Sequence, residues 1–341
     1  MIARTTARVG PLWQRRLGEA VASVGELLDL LGLEAASVGA DGRSDFPLRV
    51  PRSFVARMRP GDPRDPLLAQ VLPVAAERRA PPGFTRDPLA EAAASPAPGL
   101  LHKYRGRALL VLTGACGVHC RYCFRRHFPY AEHRDRDARA ALAYVAAEPS
   151  IEEVIVSGGD PLALADERLA ALAEAIAAIP HVRRLRLHTR MPIVLPERVD
   201  DALTAWLAAS PLQKVVVVHA NHPQEIDGEV AGALRRLGAT GATLLNQAVL
   251  LAGVNDAAAT QRELGETLFA AGVLPYYLHL LDRVAGAAHF AVDEAAARRI
   301  MAELTASTPG YLVPRLVREV PGAPAKVPVD LRLGSRRRGL H

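Results

Sequence analysis

The chain reads as an α/β protein built as a partial (β/α)6, TIM-like barrel. From about residue 107, apolar strand-like runs alternate six times with Ala/Leu/Arg/Glu-rich helical runs, the rhythm of βα units in a parallel sheet. Six units are fewer than the eight of a closed barrel, which favours an open one. The polar residues collect just after the strand runs, where such folds carry their ligand sites. A flat doubly wound sheet is the alternative arrangement.

The strand runs are RALLVLTG (107–114), EEVIVSGG (152–159), RRLRLHT (183–189), KVVVVHA (214–220), ATLLNQAVL (242–250) and LPYYLHLLD (274–282). Helical runs follow them: DARAALAYVAAE, DERLAALAEAIAAI, PERVDDALTAWLAA, EVAGALRRLG, TQRELGETLFAAG and DEAAARRIMAEL. Several open on an acidic residue or a proline, as helix starts do. This barrel spans 101–310. Residues 1–100 form a leading region, with a helical stretch RLGEAVASVGELLDLLGL and then proline-broken sequence that predicts short helices packed beside the barrel. Residues 311–341 form a Pro/Gly-rich segment around Lys326, expected to lie as a loop over the barrel mouth.

Composition bounds the function. Half of the 341 residues are apolar, and the net charge is +6, part of it from Arg336, Arg337 and Arg338. A basic end of this kind is usually solvated, so no nucleic-acid partner is expected. The longest charge-free apolar stretch, GATLLNQAVLLAGV, has 14 residues and carries Asn246 and Gln247, too short for the ~20 that span a bilayer. The N-terminus is Arg-rich without the apolar core of a secretory signal. The expectation is a cytoplasmic protein without a membrane partner.

The chain holds three cysteines, Cys116, Cys120 and Cys123, all inside ACGVHCRYCFRRHFPY (115–130). Clustered thiols in a reducing compartment point to metal or redox chemistry. A zinc site with His119 or His127 as fourth ligand is one reading, although structural zinc sites normally use two separated ligand pairs. The other is a [4Fe–4S] cluster, which four cysteines usually hold; three would leave one iron open to a small molecule.

CGVHCRYCF resembles the Cys-x3-Cys-x-aromatic-Cys loop of the radical S-adenosylmethionine (SAM) enzymes, and SGGD (157–160) resembles their glycine-rich stretch, although taken alone it reads as a strand-to-helix turn. Within that superfamily, CRYCFRRHFPY, SGGDPL, LHTRMPIVLPERV, NHPQEI, NQAVLLAGVND, YYLHLLDRVAGAAHF and AKVP follow the order of the lysine 2,3-aminomutases over residues 100–330. The short tail and CFRRHFPY are similar to the branch that makes (R)-β-lysine for elongation factor P. The resemblance implies a radical SAM-type partial barrel. It also implies three cofactors: a [4Fe–4S] cluster on Cys116, Cys120 and Cys123, S-adenosylmethionine and pyridoxal 5′-phosphate. The implied reaction is a 1,2-amino shift from L-α-lysine to β-lysine, in which the adenosyl radical is made and recovered.

Residue roles follow from the same resemblance. Lys326, one of three lysines beside 39 arginines, matches the lysine that forms a Schiff base with pyridoxal phosphate, chemistry that arginine cannot perform. Arg107 matches the arginine that binds the phosphate, and Lys103 stands where another basic residue often lies. Tyr122, Ser157, Gly158, Gly159, Asp160, His219 and Gln247 match the surroundings of S-adenosylmethionine. Arg125 matches the arginine on the substrate carboxylate, to which a planar fork is suited. Arg126 reads as a surface partner. Asp282 matches the acid on the far ammonium of lysine. Its companion acid, an aspartate in free-lysine enzymes, is here Glu319, one methylene longer. Two acids for one ammonium favour a dibasic substrate and repel glutamate. A metabolic aminomutase for lysine or another cationic amino acid is a neighbouring reading, and a non-catalytic metal-binding module is a distant one. Implied partners are L-lysine, a flavodoxin- or ferredoxin-type reductant, the ligase that attaches β-lysine to elongation factor P, and a second copy of the chain. The free-lysine enzymes carry C-terminal cysteines for a structural zinc; no cysteine follows 123 here.

Overall fold

The computed structural model describes residues 10–131 and 138–331. Arg336, Arg337 and Arg338 and the first nine residues therefore lie outside the described residues. One nine-stranded sheet runs in sequence order: β1 (Leu100–Tyr104), β2 (Arg107–Val111), β3 (Glu153–Ser157), β4 (Arg184–Thr189), β5 (Gln213–Val218), β6 (Thr243–Leu250), β7 (Leu274–Leu280), β8 (Arg315–Arg318) and β9 (Val327–Pro328). Strands β2 to β8 are parallel, and antiparallel hairpins close the two edges, β1 on β2 and β9 on β8. A doubly wound sheet reverses its strand order at a switch point. This order never reverses, as an open barrel requires.

All six expected strands form, and each is followed by an expected helix: Arg139–Ala147, Asp166–Ala177, Asp201–Ala209, Gly228–Ala239, Ala258–Ala270 and Glu294–Ser307. Three of these start on an aspartate that accepts hydrogen bonds from first-turn amides (Asp200, Asp227 and Asp293), satisfying donors that the helix leaves orphaned. The sheet is longer than the apolar rhythm indicates. Strand β8 carries an arginine at each end of only four residues, so no apolar run marks it. β9 pairs through Val327, beside Lys326, so the expected loop is pinned to the sheet.

Side-chain alternation separates the two faces of the sheet. Ala108, Leu110, Val154, Val156, Leu185, Leu187, Val216, Val218, Ala248, Leu250 and Leu278 join the buried apolar core. The residues between them on the strands include Arg107, Arg186, His188, Gln247, Tyr277 and His279, and these line a cavity inside the curve of the sheet.

The leading region differs from the expectation in one respect. The continuous helix read over 16–33 is two helices, Leu12–Gly18 and Val24–Leu31. Between them Val21 exchanges both backbone hydrogen bonds with Val50, at 2.8 and 2.9 Å, and this tertiary pairing overrides local helix propensity. The region is stitched to the barrel by buried polar contacts. Gln70 Nε2 donates to Glu225 Oε1 at 3.1 Å, Gln224 Nε2 to Asp65 Oδ2 at 2.7 Å, and Ser53 Oγ to the Val194 carbonyl at 2.8 Å.

Candidate active site

A cavity of about 420 Å3 opens at the C-terminal ends of the strands, and the residues matched to the cluster, cofactors and substrate line it: Lys103, Arg107, Cys116, Cys120, Tyr122, Cys123, Arg125, Ser157, Gly158, Gly159, Asp160, His219, Gln247, Asp282, Glu319 and Lys326; His127, the alternative zinc ligand, does not. Sequence positions more than 220 apart thus meet on one surface.

The three cysteines sit on the loop after β2, each partly exposed and reduced. Burial, and then the neighbouring thiols and Asp160, push the Cys116 thiol well up; Cys123 is pushed to about 11 by burial and Cys120. Neutral thiols crowded in this way await a cation that would make thiolates favourable. Among the described residues, no three His, Cys, Asp or Glu side chains converge as the ligands of a single metal ion do. The three thiols line the same cavity.

The glycine pair packs against this loop. Gly158 has φ +133°, and a Cβ there would meet the Thr113 carbonyl oxygen at 2.6 Å. On Gly159 a Cβ would lie 2.4 Å from the Ala115 carbonyl and 2.9 Å from Cys116 Sγ. Glycine is required here so that two backbone segments can touch. Asp160 lines the cavity, but its carboxylate is fully used: Oδ1 accepts from Leu162 N (3.0 Å) and Thr189 Oγ1 (2.7 Å), and Oδ2 from Arg190 N (2.7 Å) and Met191 N (3.1 Å). It ties the end of β3 to the end of β4.

Tyr122 is buried, its hydroxyl accepting from Asn221 Nδ2 at 2.7 Å and its ring edge-on to Phe290. Gln247 Nε2 lies 2.7 Å from His219 Nε2. Burial and Arg190 lower His219 to about 4, so its neutral ring is free to accept from the amide. His188 Nε2, in the same wall, is buried without a partner among the described residues. Buried polar atoms are normally paired, with protein or with ordered water, so this one is open to a partner in the cavity.

Arg125 is 7% exposed and already clasped by a carboxylate that the sequence did not single out. Glu91 takes Arg125 Nε at 2.8 Å and Nη2 at 3.0 Å, and also accepts from Lys103 Nζ at 3.0 Å. Burial opposes ionisation of Glu91, yet the two cations outweigh it and hold the carboxyl at about 2. Glu91 lies in the proline-rich approach to β1 with no motif around it, so only the fold reveals it. Glu91→Ala would leave Arg125 buried and unpaired. The expected cost is about 3–5 kcal/mol of folding stability, measurable by denaturant unfolding, with a smaller loss for Glu91→Gln. Arg126, read from the sequence as a surface partner, is instead buried, donating to Glu77 Oε2 at 2.7 Å and to the Arg121 carbonyl at 3.1 Å.

At the opposite end, Glu319 accepts from Tyr104 Oη and from Lys326 Nζ, and Lys326 Nζ lies 5.9 Å above the Tyr277 ring. Arg107 stacks 4.7 Å over Tyr104 and has no acid paired with it among the described residues, an arrangement that leaves its fork open to an anion. Asp282 is pushed up to about 7, by burial first and then by the Glu319 charge, with Lys326 and Lys103 opposing. The wall therefore interleaves acids and cations: Glu319 lies with Tyr104, Arg107 and Lys326, and Glu91 with Arg125 and Lys103.

Comparison with known proteins bears on this arrangement. Residues 110–244 match the Radical SAM superfamily. The chain is 52% identical to the "L-lysine 2,3-aminomutase" of Escherichia coli (strain K12) over 326 residues, covering 94% of this chain and 95% of that one. It is 50% identical to the protein of the same name from Haemophilus influenzae, covering 83% and 85%. The Clostridium subterminale protein of that name is 36% identical, over 81% of this chain and 67% of its own longer sequence.

Proposed function

The chain belongs to the radical SAM superfamily and, within it, to the L-lysine 2,3-aminomutases, and from that premise we propose a pyridoxal phosphate-dependent conversion of L-α-lysine to (R)-β-lysine for β-lysylation of elongation factor P. It is an isomerase. The observation that carries the finer reading is the single cavity, in which three thiols, an unpaired arginine, a lysine and two acids face one another.

When bound, the [4Fe–4S] cluster with S-adenosylmethionine supplies a 5′-deoxyadenosyl radical, and pyridoxal phosphate supplies a π-system that carries the migrating nitrogen. Everything else falls to the chain. Cys116, Cys120 and Cys123 would ligate three irons. Gly159 packs beside Cys116, and Ser157, Gly158 and Gly159, with Tyr122, His219 and Gln247, would face S-adenosylmethionine. Arg107 and Lys103 would hold the phosphate, and Lys326 would anchor the pyridoxal aldehyde through its primary amine. Arg125, held by Glu91 through Nε and Nη2, would offer Nη1 to the substrate carboxylate; Asp282 and Glu319 would take its far ammonium. Held at both ends, lysine presents Cβ in a fixed place, which is where orientation lowers the barrier. An electron has to come from outside the chain, and a flavodoxin- or ferredoxin-type protein would deliver it. The three-part organisation, 1–100, 101–310 and 311–341, and a cytoplasmic address belong to this same reading.

The test is anaerobic reconstitution followed by incubation with S-adenosylmethionine, pyridoxal phosphate and isotopically labelled lysine. β-Lysine formed without net consumption of S-adenosylmethionine is expected. Cleavage of S-adenosylmethionine with unchanged lysine would remove the substrate assignment while leaving the radical chemistry standing.

A pH dependence follows. Below about 7 Asp282 is protonated and neutral, so it cannot pair with an ammonium. On the acid side kcat/KM for lysine should therefore rise about tenfold per pH unit and level off above that value. Removing the neighbouring charge with Glu319→Gln should move the bend to lower pH. A profile flat from acid to neutral pH would contradict this role for Asp282.

A further inference from the structure

Arg190 follows directly on β4, and nothing in the reading above gives it a task. It is 7% exposed, and its backbone amide and both Nη atoms are engaged. Its backbone amide donates to Asp160 at 2.7 Å. Its Nη2 donates to Gln70 Oε1 at 2.7 Å and to Glu225 Oε2 at 2.9 Å. The guanidinium lies 5.4 Å from the Phe54 ring centre and 5.7 Å from that of Tyr122. Glu225 is itself fully buried and accepts from Asn221 N at 2.9 Å and His222 N at 3.1 Å. So braced, Arg190 aims Nη1 at Cys120 Sγ, 2.7 Å away. Neither Cys116 nor Cys123 receives an arginine or lysine donor on sulfur among the described residues.

We propose that Arg190 sets the reduction potential of the iron–sulfur cluster, through a charged hydrogen bond to Cys120 Sγ that favours the reduced state. The proposal rests on the reading of the three cysteines as cluster ligands. Reduction adds one electron, and the added negative charge is shared with the ligand sulfurs. A cationic donor on one of them stabilises that charge, and hydrogen bonds to sulfur together with burial are among the means by which proteins move such potentials. The scaffold of Gln70, Glu225, Phe54 and Tyr122 is formed before reduction, so the donor need not reorient when the electron arrives. Since Gln70 and Phe54 come from the leading region, that region braces the donor on Cys120 as well as the cysteine loop itself, where Glu77 holds Arg121 and Arg126.

The full-length chain is reconstituted, its iron and sulfide are counted, and the reduced signal is followed by EPR against applied potential without S-adenosylmethionine. In Arg190→Met the reduced-to-oxidised ratio at fixed potential should fall about tenfold, a midpoint lower by about 59 mV for one electron. Arg190→Lys, which keeps the charge but loses the fork, should fall part of the way. A fully loaded Arg190→Met protein with an unchanged midpoint would overturn the proposal. If that variant fails to load, the wild type decides. With guanidino-15N arginine, pulsed EPR of the reduced cluster should reveal a weakly coupled 15N, absent in Arg190→Lys. No such coupling in the wild type also overturns it. A wild-type chain that takes up no iron and sulfide sinks the cluster reading itself, and this proposal with it.

Discussion

Replacing Lys326 with alanine is expected to abolish isomerisation while iron, sulfide and the EPR signal of the reduced cluster stay at wild-type levels. The loss should reach about 10⁴- to 10⁶-fold, the range seen when other covalent catalysts lose a member of their machinery. The geometry explains why the effect should be confined to turnover. Lys326 contacts Glu319 and faces Tyr277, whereas the cysteine loop is built on Asp160, Gly159 and Arg190. The remaining lysines are poor substitutes: Lys103 is committed to Glu91, and Lys214 Nζ reaches the Ser210 carbonyl outside the cavity at 3.4 Å. Pyridoxal absorbance after reconstitution provides a second readout, expected to lack the lysine-bound band in the variant. A variant that still formed β-lysine at the wild-type rate would remove Lys326 from the chemistry.

Asp282→Asn carries the second-largest expectation. Removing one partner of a buried charge pair costs about 2–5 kcal/mol, so kcat/KM for lysine should fall by roughly 30-fold to several thousandfold. Asp282 is a cleaner probe than Glu319, which also bonds Lys326 and Tyr104 and so mixes substrate binding with support of the pyridoxal anchor. An analogue without the far amine discriminates. Its binding, measured by the shift in pyridoxal absorbance, should be almost indifferent to Asp282→Asn, while lysine binding weakens. Equal losses for both ligands would show that Asp282 supports the cavity and does not read the ammonium.

The fold and the cavity were legible in the sequence to different depths. The βα rhythm and the cysteine loop rest on local patterns, apolar period and spacing, and those survive into the structure almost residue for residue. His188, Arg186 and His279 could have been found by the same means. Each stands at an inward alternate position of a quoted strand run, and three polar residues in such places mark a lined cavity. Glu91 could not. It sits in an irregular, proline-broken stretch, and its partnership with Arg125 exists only because β1 and the cysteine loop are brought together. The burial of Arg126 by Glu77 and the break at Val21 share that character. In each case a contact between distant segments overrides what neighbouring residues suggest. Strand β8 was missed for a different reason: its length and terminal arginines leave no apolar signature.

The polar stitching between the leading region and the barrel also bears on how the chain is born. Gln70 and Asp65 are buried, yet their partners Glu225 and Gln224 lie 155 and 159 residues downstream. At about 5–20 residues per second, the ribosome needs roughly 8–30 s to supply them. During that interval Asp65 can cap its own helix through Leu67 N and Leu68 N, and Gln70 can reach the Pro66 carbonyl, but their contacts with the barrel have to wait. Until Glu225 has cleared the exit tunnel, the bracing of Arg190 between Gln70 and Glu225 cannot form.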